Sequence, residues 1–296
     1  MNKKVFAYFL IIAAAFCWGT GGVFTKMIMP YGYTSFEMVF LKTLVGLIIL
    51  SAVAFINNPK MYKLEKWSDL LNIAGMSIFG YSLYAVAFVF TVNEIGVGVA
   101  GAMLYTKCVF VMLLSRILFG SKITFKKIMI ILMTVGGCLC ISEVFTSGGE
   151  SFTIKGMAWG FSSGVGFAIY DVLGKKSLDK YSSETVNFYN FLIATIFIAV
   201  LANPVSAVTR MIETETYLLI IMSGVMMAAL PYLMYVKGLS KVDVNVASVI
   251  STFELLTACV AGVALYNEPL TFERIMGIIL IIGAVCMLNL SAEKEN

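Results

Sequence analysis

The sequence has no histidine, and charged residues fill only 13% of its 296 positions. Soluble proteins of this length carry about 25% charged residues, so an exterior that faces water throughout is excluded. With 60% hydrophobic residues and a mean hydropathy of +0.92, the composition is typical of a polytopic membrane protein. Because histidine is missing, any proton-carrying step would have to use a carboxylate.

Metal, redox and nucleotide-binding motifs are also missing. The six cysteines lie inside apolar segments and form no CxxC pair, which favours a packing role. The GTGG stretch at 19–22 lies within an apolar segment and does not follow a strand, so ATP is not expected to drive the protein directly. The net charge of +4 is scattered over short loops and does not indicate nucleic-acid binding. We expect no cofactor, no metal and no nucleic-acid partner.

The sequence contains ten long apolar stretches. A helix needs about 20 residues to cross a hydrocarbon core of ~30 Å. The stretches are separated by short connections and cover residues 5–28, 34–56, 68–92, 97–119, 125–143, 154–175, 183–202, 216–238, 243–266 and 271–290. The sequence therefore predicts an all-α polytopic membrane protein with ten transmembrane helices.

The basic residues orient these helices. With the N-terminus inside, fifteen of the 21 lysines and arginines fall in inner segments and four in outer ones, while Lys42 and Lys107 lie within spans. An excess of basic residues marks the cytoplasmic side. We expect both termini to be cytoplasmic and the protein to be a multi-pass component of a bacterial cell (plasma) membrane, in contact with the lipid bilayer.

The chain repeats itself. Residues 99–142 align without a gap on 246–289, and the N-terminal parts of the repeat match at an offset of 149. The sequence thus predicts two five-helix repeats, 1–145 and 150–296, which together form one transport domain. Five is odd, so the second repeat is inverted, as in transporters whose binding site lies near the midplane between the halves. The aligned pairs include Val99 with Val246, Thr124 with Thr271, Gly136 with Gly283, and Trp18 with Phe167.

A family resemblance rests on four stretches. These are AAAFCWGTGGVFTK in the first helix, LYTKCVFVMLLSRILFGSKIT across the fourth and fifth, its counterpart STFELLTACVAGVALYNEPLT, and the following GIILIIGAV. With the ten-span repeat, they make the whole chain resemble EamA-type transporters of the drug/metabolite transporter superfamily. Ser121 replaces the usual glutamate, and Cys108 and Leu255 stand where prolines are usual. The resemblance implies export of metabolites or amino acids, with drugs or quaternary amines as a variant.

Lys107 is the charge in an apolar run from Val97 to Leu114. Its repeat equivalent, 147 positions later, is Glu254. Each lies ten residues into its span from opposite sides, roughly 15 Å deep. A lone charge at that depth costs at least ~2.5–3.5 kcal/mol, so the sequence predicts that the two face each other. The pair is either a structural lock between the fourth and ninth helices or a site that binds substrate.

Aromatic residues add candidate walls to this site. We expect Tyr84, Tyr105, Tyr232, Tyr235 and Trp18 to line a central cavity, because a buried tyrosine hydroxyl needs a polar partner. Such walls suit an apolar or cationic organic ligand, although ordinary core packing is the alternative. Together with Glu254 and Lys107 they form the expected substrate-binding set.

Other intramembrane charges receive structural interpretations. Lys42 is expected to extend outward to the membrane surface, and Asp171 to pair with Lys175 one helical turn later. Glu37 is expected to stabilise the start of its helix. The uniformly apolar fifth and tenth spans are expected at the periphery, packing against each other or against a second subunit in a homodimer.

The expected function is a secondary transporter that moves small organic metabolites, amino-acid-like or amine solutes, by alternating access through a central midplane cavity, with export as the expected direction. A multidrug or quaternary-amine transporter is the alternative. A non-transporting membrane scaffold or sensor is a third class, but it would need neither a polar midplane nor an inverted repeat. An intramembrane enzyme would need paired aspartates, a Ser-His pair or an HExxH motif at depth, and the sequence has none.

Overall fold

The protein is described by a computed structural model covering residues 3–57, 63–143, 153–267 and 269–292, and every regular element in these ranges is helical. The expected junction between the repeats, near 145–150, lies outside them. The α-helices are α1 (Lys3–Gly19), α2 (Gly21–Ile28), α3 (Ser35–Asn57), α4 (Trp67–Gly75), α5 (Leu83–Ile95), α6 (Val97–Leu104), α7 (Lys107–Phe119), α8 (Phe125–Ile141), α9 (Ile154–Leu178), α10 (Ser183–Leu201), α11 (Pro204–Glu213), α12 (Tyr217–Gly224), α13 (Leu230–Leu239), α14 (Val244–Ile250), α15 (Phe253–Tyr266) and α16 (Phe272–Ala292).

Within the described ranges, seven helical segments are long and apolar enough to cross a membrane, judged by length and composition. They are Lys4–Tyr31, Ser35–Asn57, Trp67–Ile95, Val99–Phe119, Ser183–Leu201, Tyr217–Leu239 and Val244–Leu265. The predicted fifth, sixth and tenth spans are present as α8, α9 and α16 but are not among the seven. The polytopic membrane character is therefore confirmed, while the count of ten and the cytoplasmic termini stay predictions.

Two long helical segments are interrupted by a π-helical stretch. Met76–Ser82 joins α4 to α5, and Val225–Ala229 joins α12 to α13. The stretches begin 149 residues apart, which equals the offset of the N-terminal parts of the sequence repeat. Pro231 stands two residues after the end of the second stretch and has no backbone N–H to continue the ladder. Such widened turns are common at functional sites.

Two other segments are broken into half-helices. α6 ends at Leu104 and α7 begins at Lys107, while α14 ends at Ile250 and α15 begins at Phe253. At each break the backbone N–H groups bond to carbonyls three residues back. Lys107 and Glu254 therefore stand in the first turn of a half-helix, where the dipole favours the anion and disfavours the cation.

The fifth and tenth predicted spans, α8 and α16, pack directly against each other. A Cβ on Gly277 would lie 2.6 Å from the carbonyl oxygen of Gly137, so the backbones approach too closely for any side chain there. The expected packing of these helices is confirmed, but the closest backbone approach is at Gly137 and Gly277, whereas Gly283 meets the flexible end of Met133. Gly136 has only Leu280 near it, at 3.9 Å.

Candidate functional site

The ammonium of Lys107 lies in a closed compartment between helices. Its Nζ is 3.7 Å from Oδ2 of Asp171, and both side chains are 0% exposed. The same Nζ lies 3.4 Å from the ring centroid of Phe167 and 5.4 Å from that of Tyr105, so aromatic faces complete its surroundings. Tyr235 donates a hydrogen bond to Oδ1 of Asp171 at 2.7 Å. These contacts join α7, α9 and α13.

Two predicted ion pairs are wrong. Lys107 pairs with Asp171 and not with Glu254, because α9 packs on α7 and brings a third carboxylate to the ammonium. Asp171 in turn does not pair with Lys175, whose Nζ donates to the carbonyl of Leu239 at 2.9 Å. Repeat symmetry relates Lys107 to Glu254 but says nothing about α9, so the alignment alone could not find this partner.

Glu254 is held by a tyrosine. The hydroxyl of Tyr105 lies 2.6 Å from Oε2 of Glu254 and 3.0 Å from the carbonyl oxygen of Ser251. Tyr105 belongs to the break between α6 and α7, and Ser251 to the break between α14 and α15. The two breaks are therefore bridged by one phenol, and two of the predicted site residues, Tyr105 and Glu254, are in direct contact.

Lys42 of α3 lies within electrostatic range of Glu254. The ammonium and the Glu254 carboxylate attract each other, and Lys107 adds a second attraction to Glu254. Lys42 and Glu254 are half-buried, whereas Lys107 and Asp171 are sealed. The expectation that Lys42 extends outward to the membrane surface is wrong, since a carboxylate inside the protein offsets the cost of its charge.

The predicted aromatic walls form one continuous cluster. The ring of Trp18 lies 5.2 Å from those of Tyr232 and Tyr235, in edge-on and tilted contact. The hydroxyls of Tyr84 and Tyr232 are 2.9 Å apart, and Tyr84 stacks on Phe167 at 4.8 Å. The Lys107 ammonium lies over the ring of Phe167, so this residue connects the aromatic cluster to the charges.

Other rings of the cluster lie outside the predicted set of site residues. Tyr81, Tyr170 and Phe191 surround Tyr232 with ring centroids 5.5, 5.7 and 5.0 Å away. Two signals were available in the sequence: Tyr81 shares a helix face with Tyr84, and Phe167 is the repeat equivalent of Trp18, whose ring it meets at 6.0 Å. Among the described residues, buried polar atoms without a hydrogen-bond partner include Trp18 Nε1, the Tyr170 hydroxyl and the side-chain amide of Asn190.

The aromatic rings at the centre are in mutual contact, and a cavity lies at one end of the protein. A space of about 250 Å³ opens at the ends of α4 and α9, lined by Ser68, Asp69, Asn72, Lys176, Ser177, Lys180 and Tyr181. Lys180 lies 2.9 Å from Asp69, and this hydrogen bond raises the pKa of the lysine. The Tyr181 hydroxyl donates to the same carboxylate at 2.8 Å. These contacts join the two helices at that end.

The arrangement offers two cations and two carboxylates within one aromatic enclosure. One pair, Lys107 with Asp171, is fully buried, and at 3.7 Å its Nζ and Oδ2 form an ion pair without a hydrogen bond. The other charges, Lys42 and Glu254, retain accessible surface. Such a site can bind a small organic solute that carries charge, with aromatic faces for its apolar or cationic parts. A metal centre is not supported within the described residues, where no group of three or more Cys, Asp or Glu side chains could hold an ion.

Comparison with known proteins agrees with this geometry. The sequence model of the EamA-like transporter family matches twice, over residues 5–143 and 154–290. An uncharacterized transporter of Archaeoglobus fulgidus is 27% identical over 85% of this chain and 86% of its own length. An uncharacterized transporter of Clostridium kluyveri is 23% identical over 97% of this chain and 94% of its own. The uncharacterized transporter YvbV of Bacillus subtilis is 24% identical, with coverage of 94% and 90%.

A protein of known crystal structure has the same fold. It superimposes with a TM-score of 0.77 over 98% of both chains, at 16% sequence identity. At that identity the similarity establishes the fold alone. The relatives named above are transporters by name.

Proposed function

Since the chain belongs to the EamA-like transporter family, we propose that it is a secondary transporter that moves small organic metabolites across the cell membrane. The solutes are amino-acid-like or amine compounds, the direction is export, and the mechanism is alternating access through the centre between the repeats. The observation that carries the proposal is the half-buried Glu254, held by Tyr105 beside a broken helix.

The broken helices support a binding role for this centre. Half-helix ends and irregular backbone are tolerated at membrane depth where they are buried in protein or line a cavity. In transporters such ends present backbone dipoles to charged solutes. Here the breaks before Lys107 and after Ile250, and the two π-helical stretches, occur at equivalent places in the halves. The double match of the family model supports the same duplication.

Alternating access follows from inverted repeats, in which each half can adopt the conformation of the other. We propose ten spans, two inverted repeats and cytoplasmic termini. The closely packed aromatic cluster corresponds to a state in which the centre is shut. Opening requires separation of the helices that meet there, and the π-helical stretches are suitable hinges because their ladders already depart from the regular pattern.

The aromatic cluster favours one alternative, transport of quaternary amines or hydrophobic cations. Trp18, Tyr81, Tyr84 and Tyr232 present ring faces and edges in mutual contact, and such faces attract cations. A carboxylate, Glu254, stands beside them. The two candidate functions differ in their need for Lys42, because a quaternary amine has no carboxylate with which the Lys42 ammonium could pair.

A ligand screen tests both. Purified protein is heated with a metabolite library and, separately, with quaternary amines, and compounds that raise the melting temperature are assayed for flux in proteoliposomes. We expect amino-acid-like solutes to stabilise and to be transported. If only quaternary amines do so, the alternative is correct. If no compound of either class yields flux while the protein stays folded, the proposed function is wrong.

A further inference from the structure

Helix α11 was not expected from the sequence and belongs to no predicted span. It begins at Pro204, three residues after α10 ends, and runs to Glu213. The side chain of Asn203 accepts a hydrogen bond from the backbone of Ser206 at 3.1 Å, and proline occupies the first turn, a stable way to start a helix. Because α11 connects two membrane-crossing segments, it lies at the membrane surface.

The helix has an inner side packed on the protein and an exposed apolar stripe next to it. Ala207 is fully buried and Met211 packs against the protein core. Next to this inner side, Val205, Val208 and Ile212 are 76%, 36% and 67% exposed. Their spacing of three and four residues places them on one stripe. Thr209 and Glu213, beside the stripe, are exposed and polar.

The stripe continues the lipid-facing surface of α10. Exposed apolar residues run along the last turns of that helix to Val200, which is 81% exposed, and reach the start of α11. If the stripe faced water, the protein would lose about 25 cal/mol of hydrophobic stabilisation for each Å² of apolar surface left exposed. A short helix with one apolar and one polar side gains most by lying in the interface, its apolar side a few ångströms into the acyl region.

The inner side of α11 is tied to the start of α3. The hydroxyl of Ser206 donates to Oε1 of Glu37 at 2.8 Å, and Nε of Arg210 lies 3.9 Å from Oε2. Glu37 is almost fully buried and accepts a hydrogen bond from the backbone of Thr34 at 2.8 Å, so it caps α3 as the sequence predicted. Further along α3 is Lys42, one of the two accessible charges at the centre.

We propose that α11 is an interfacial helix that seats Val205, Val208 and Ile212 among the acyl chains just below the lipid headgroups and clamps the first turn of α3. The bilayer surface thereby holds the end of a helix that reaches the binding centre. The proposed topology places α11 in the outer leaflet. The proposal that the stripe lies in lipid does not depend on that topology, and the experiment that tests it involves no transported solute.

Fluorescence quenching tests the seating. Val205→Cys and Thr209→Cys are made with Cys286→Ser, because Cys286 is exposed, and are labelled with a polarity-sensitive fluorophore. The protein is reconstituted in phosphatidylcholine and phosphatidylglycerol vesicles containing lipid brominated near the top of its chains. We expect bromolipid to quench the label at 205 about two- to threefold more than that at 209, and iodide to show the reverse preference. The proposal is overturned if iodide quenches the labels at 205 and 209 equally, or if a dimer contact protects the label at 205 from both quenchers.

Hydrogen–deuterium exchange tests the clamp. Val205→Asp and Thr209→Asp replace side chains of nearly equal shape, and an aspartate in the first turns of a helix does not oppose its dipole. We expect Val205→Asp to speed exchange in α11 and in the first turn of α3, and Thr209→Asp to leave both near wild type. Faster exchange in α11 with no change in α3 shows that the clamp is absent. The quenching and exchange experiments measure no transport, so a failure of the ligand screen would change neither result.

Discussion

Lys107 and Asp171 form an ion pair between α7 and α9 with no exposed surface on either side chain. Transferring both charges from water into the protein costs free energy, but removing one partner leaves the other charge buried and unpaired, which costs more. The pair therefore acts as a unit. Its ring neighbours and the hydrogen bond from Tyr235 fix its position.

Separating the members of this pair should destabilise the protein. We expect Lys107→Met and Asp171→Asn each to lose about 3–5 kcal/mol of stability, and the double variant to recover much of that loss. Thermal unfolding in detergent measures the double-mutant cycle. Additive losses would show that the pair contributes no coupling. Lys107→Met with Glu254→Gln serves as the comparison and should couple more weakly.

Glu254 should be required for ligand binding but not for folding. We expect Glu254→Gln to lose most of the thermal stabilisation given by a compound from the ligand screen, and flux to fall with it. Glu254 is half-buried, and the substitution removes its charge while it keeps the shape of the side chain. Tyr217→Phe, on an exposed side chain at the start of α12, is the control. Normal stabilisation and flux in folded Glu254→Gln would place the binding centre elsewhere.

Lys42 should separate the two candidate solute classes. In Lys42→Met we expect binding of amino-acid-like solutes to weaken more than tenfold, about 1.4 kcal/mol or more, because a carboxylate loses its counter-charge. Binding of quaternary amines should stay the same or improve. Isothermal titration with one compound of each class gives the comparison. Equal loss for both classes would mean that Lys42 maintains the structure and does not recognise the solute.

Thiol labelling should report the proposed topology. Single cysteines at Tyr31 and Thr209 are expected to react with an impermeant reagent added to intact cells. Cysteines at Lys180 and Lys241 are expected to react only after the cells are opened. All four side chains are exposed, so accessibility within the protein does not confound the result. Labelling of position 180 from outside contradicts the assignment of the cytoplasmic face.

Gly80 should be intolerant of any side chain. An added Cβ would lie 2.9 Å from the backbone nitrogen and Cα of Tyr170, where the π-helical stretch meets α9. We expect Gly80→Ala to cost about 1–3 kcal/mol. Gly136→Ala has only a contact at 3.9 Å and should be neutral or stabilising by up to about 1 kcal/mol. Melting temperatures of the two variants give the test, and equal effects would contradict the close approach at Gly80.

The sequence predicted well what depends on long patterns. Apolar length gave helices whose bounds agree with most of the ten predicted segments, and the repeat indicated that Lys107 and Glu254 occupy equivalent positions, as the two helix breaks now show. Helical spacing and depth brought Tyr84, Tyr232, Tyr235 and Trp18 together correctly.

Partner choice could not be predicted in the same way. Asp171 resembled the acidic half of a helical pair with Lys175, and only the packing of α9 on α7 turns it toward Lys107. Lys42 looked shallow enough to reach the surface, but a carboxylate from α15 draws it inward. α11 was missed because ten residues between two spans carry too short a pattern to separate a helix from a loop. These features depend on contacts between distant segments, which local sequence does not encode.

The phenol of Tyr105 has one proton and two acceptors, the Glu254 carboxylate and the Ser251 carbonyl. A solute cation that neutralises the carboxylate makes it the poorer acceptor, and the proton then turns toward the Ser251 carbonyl at the break between α14 and α15. Both acceptors belong to the second repeat and the phenol to the first, so the charge state at Glu254 decides which of the two bonds connects the breaks.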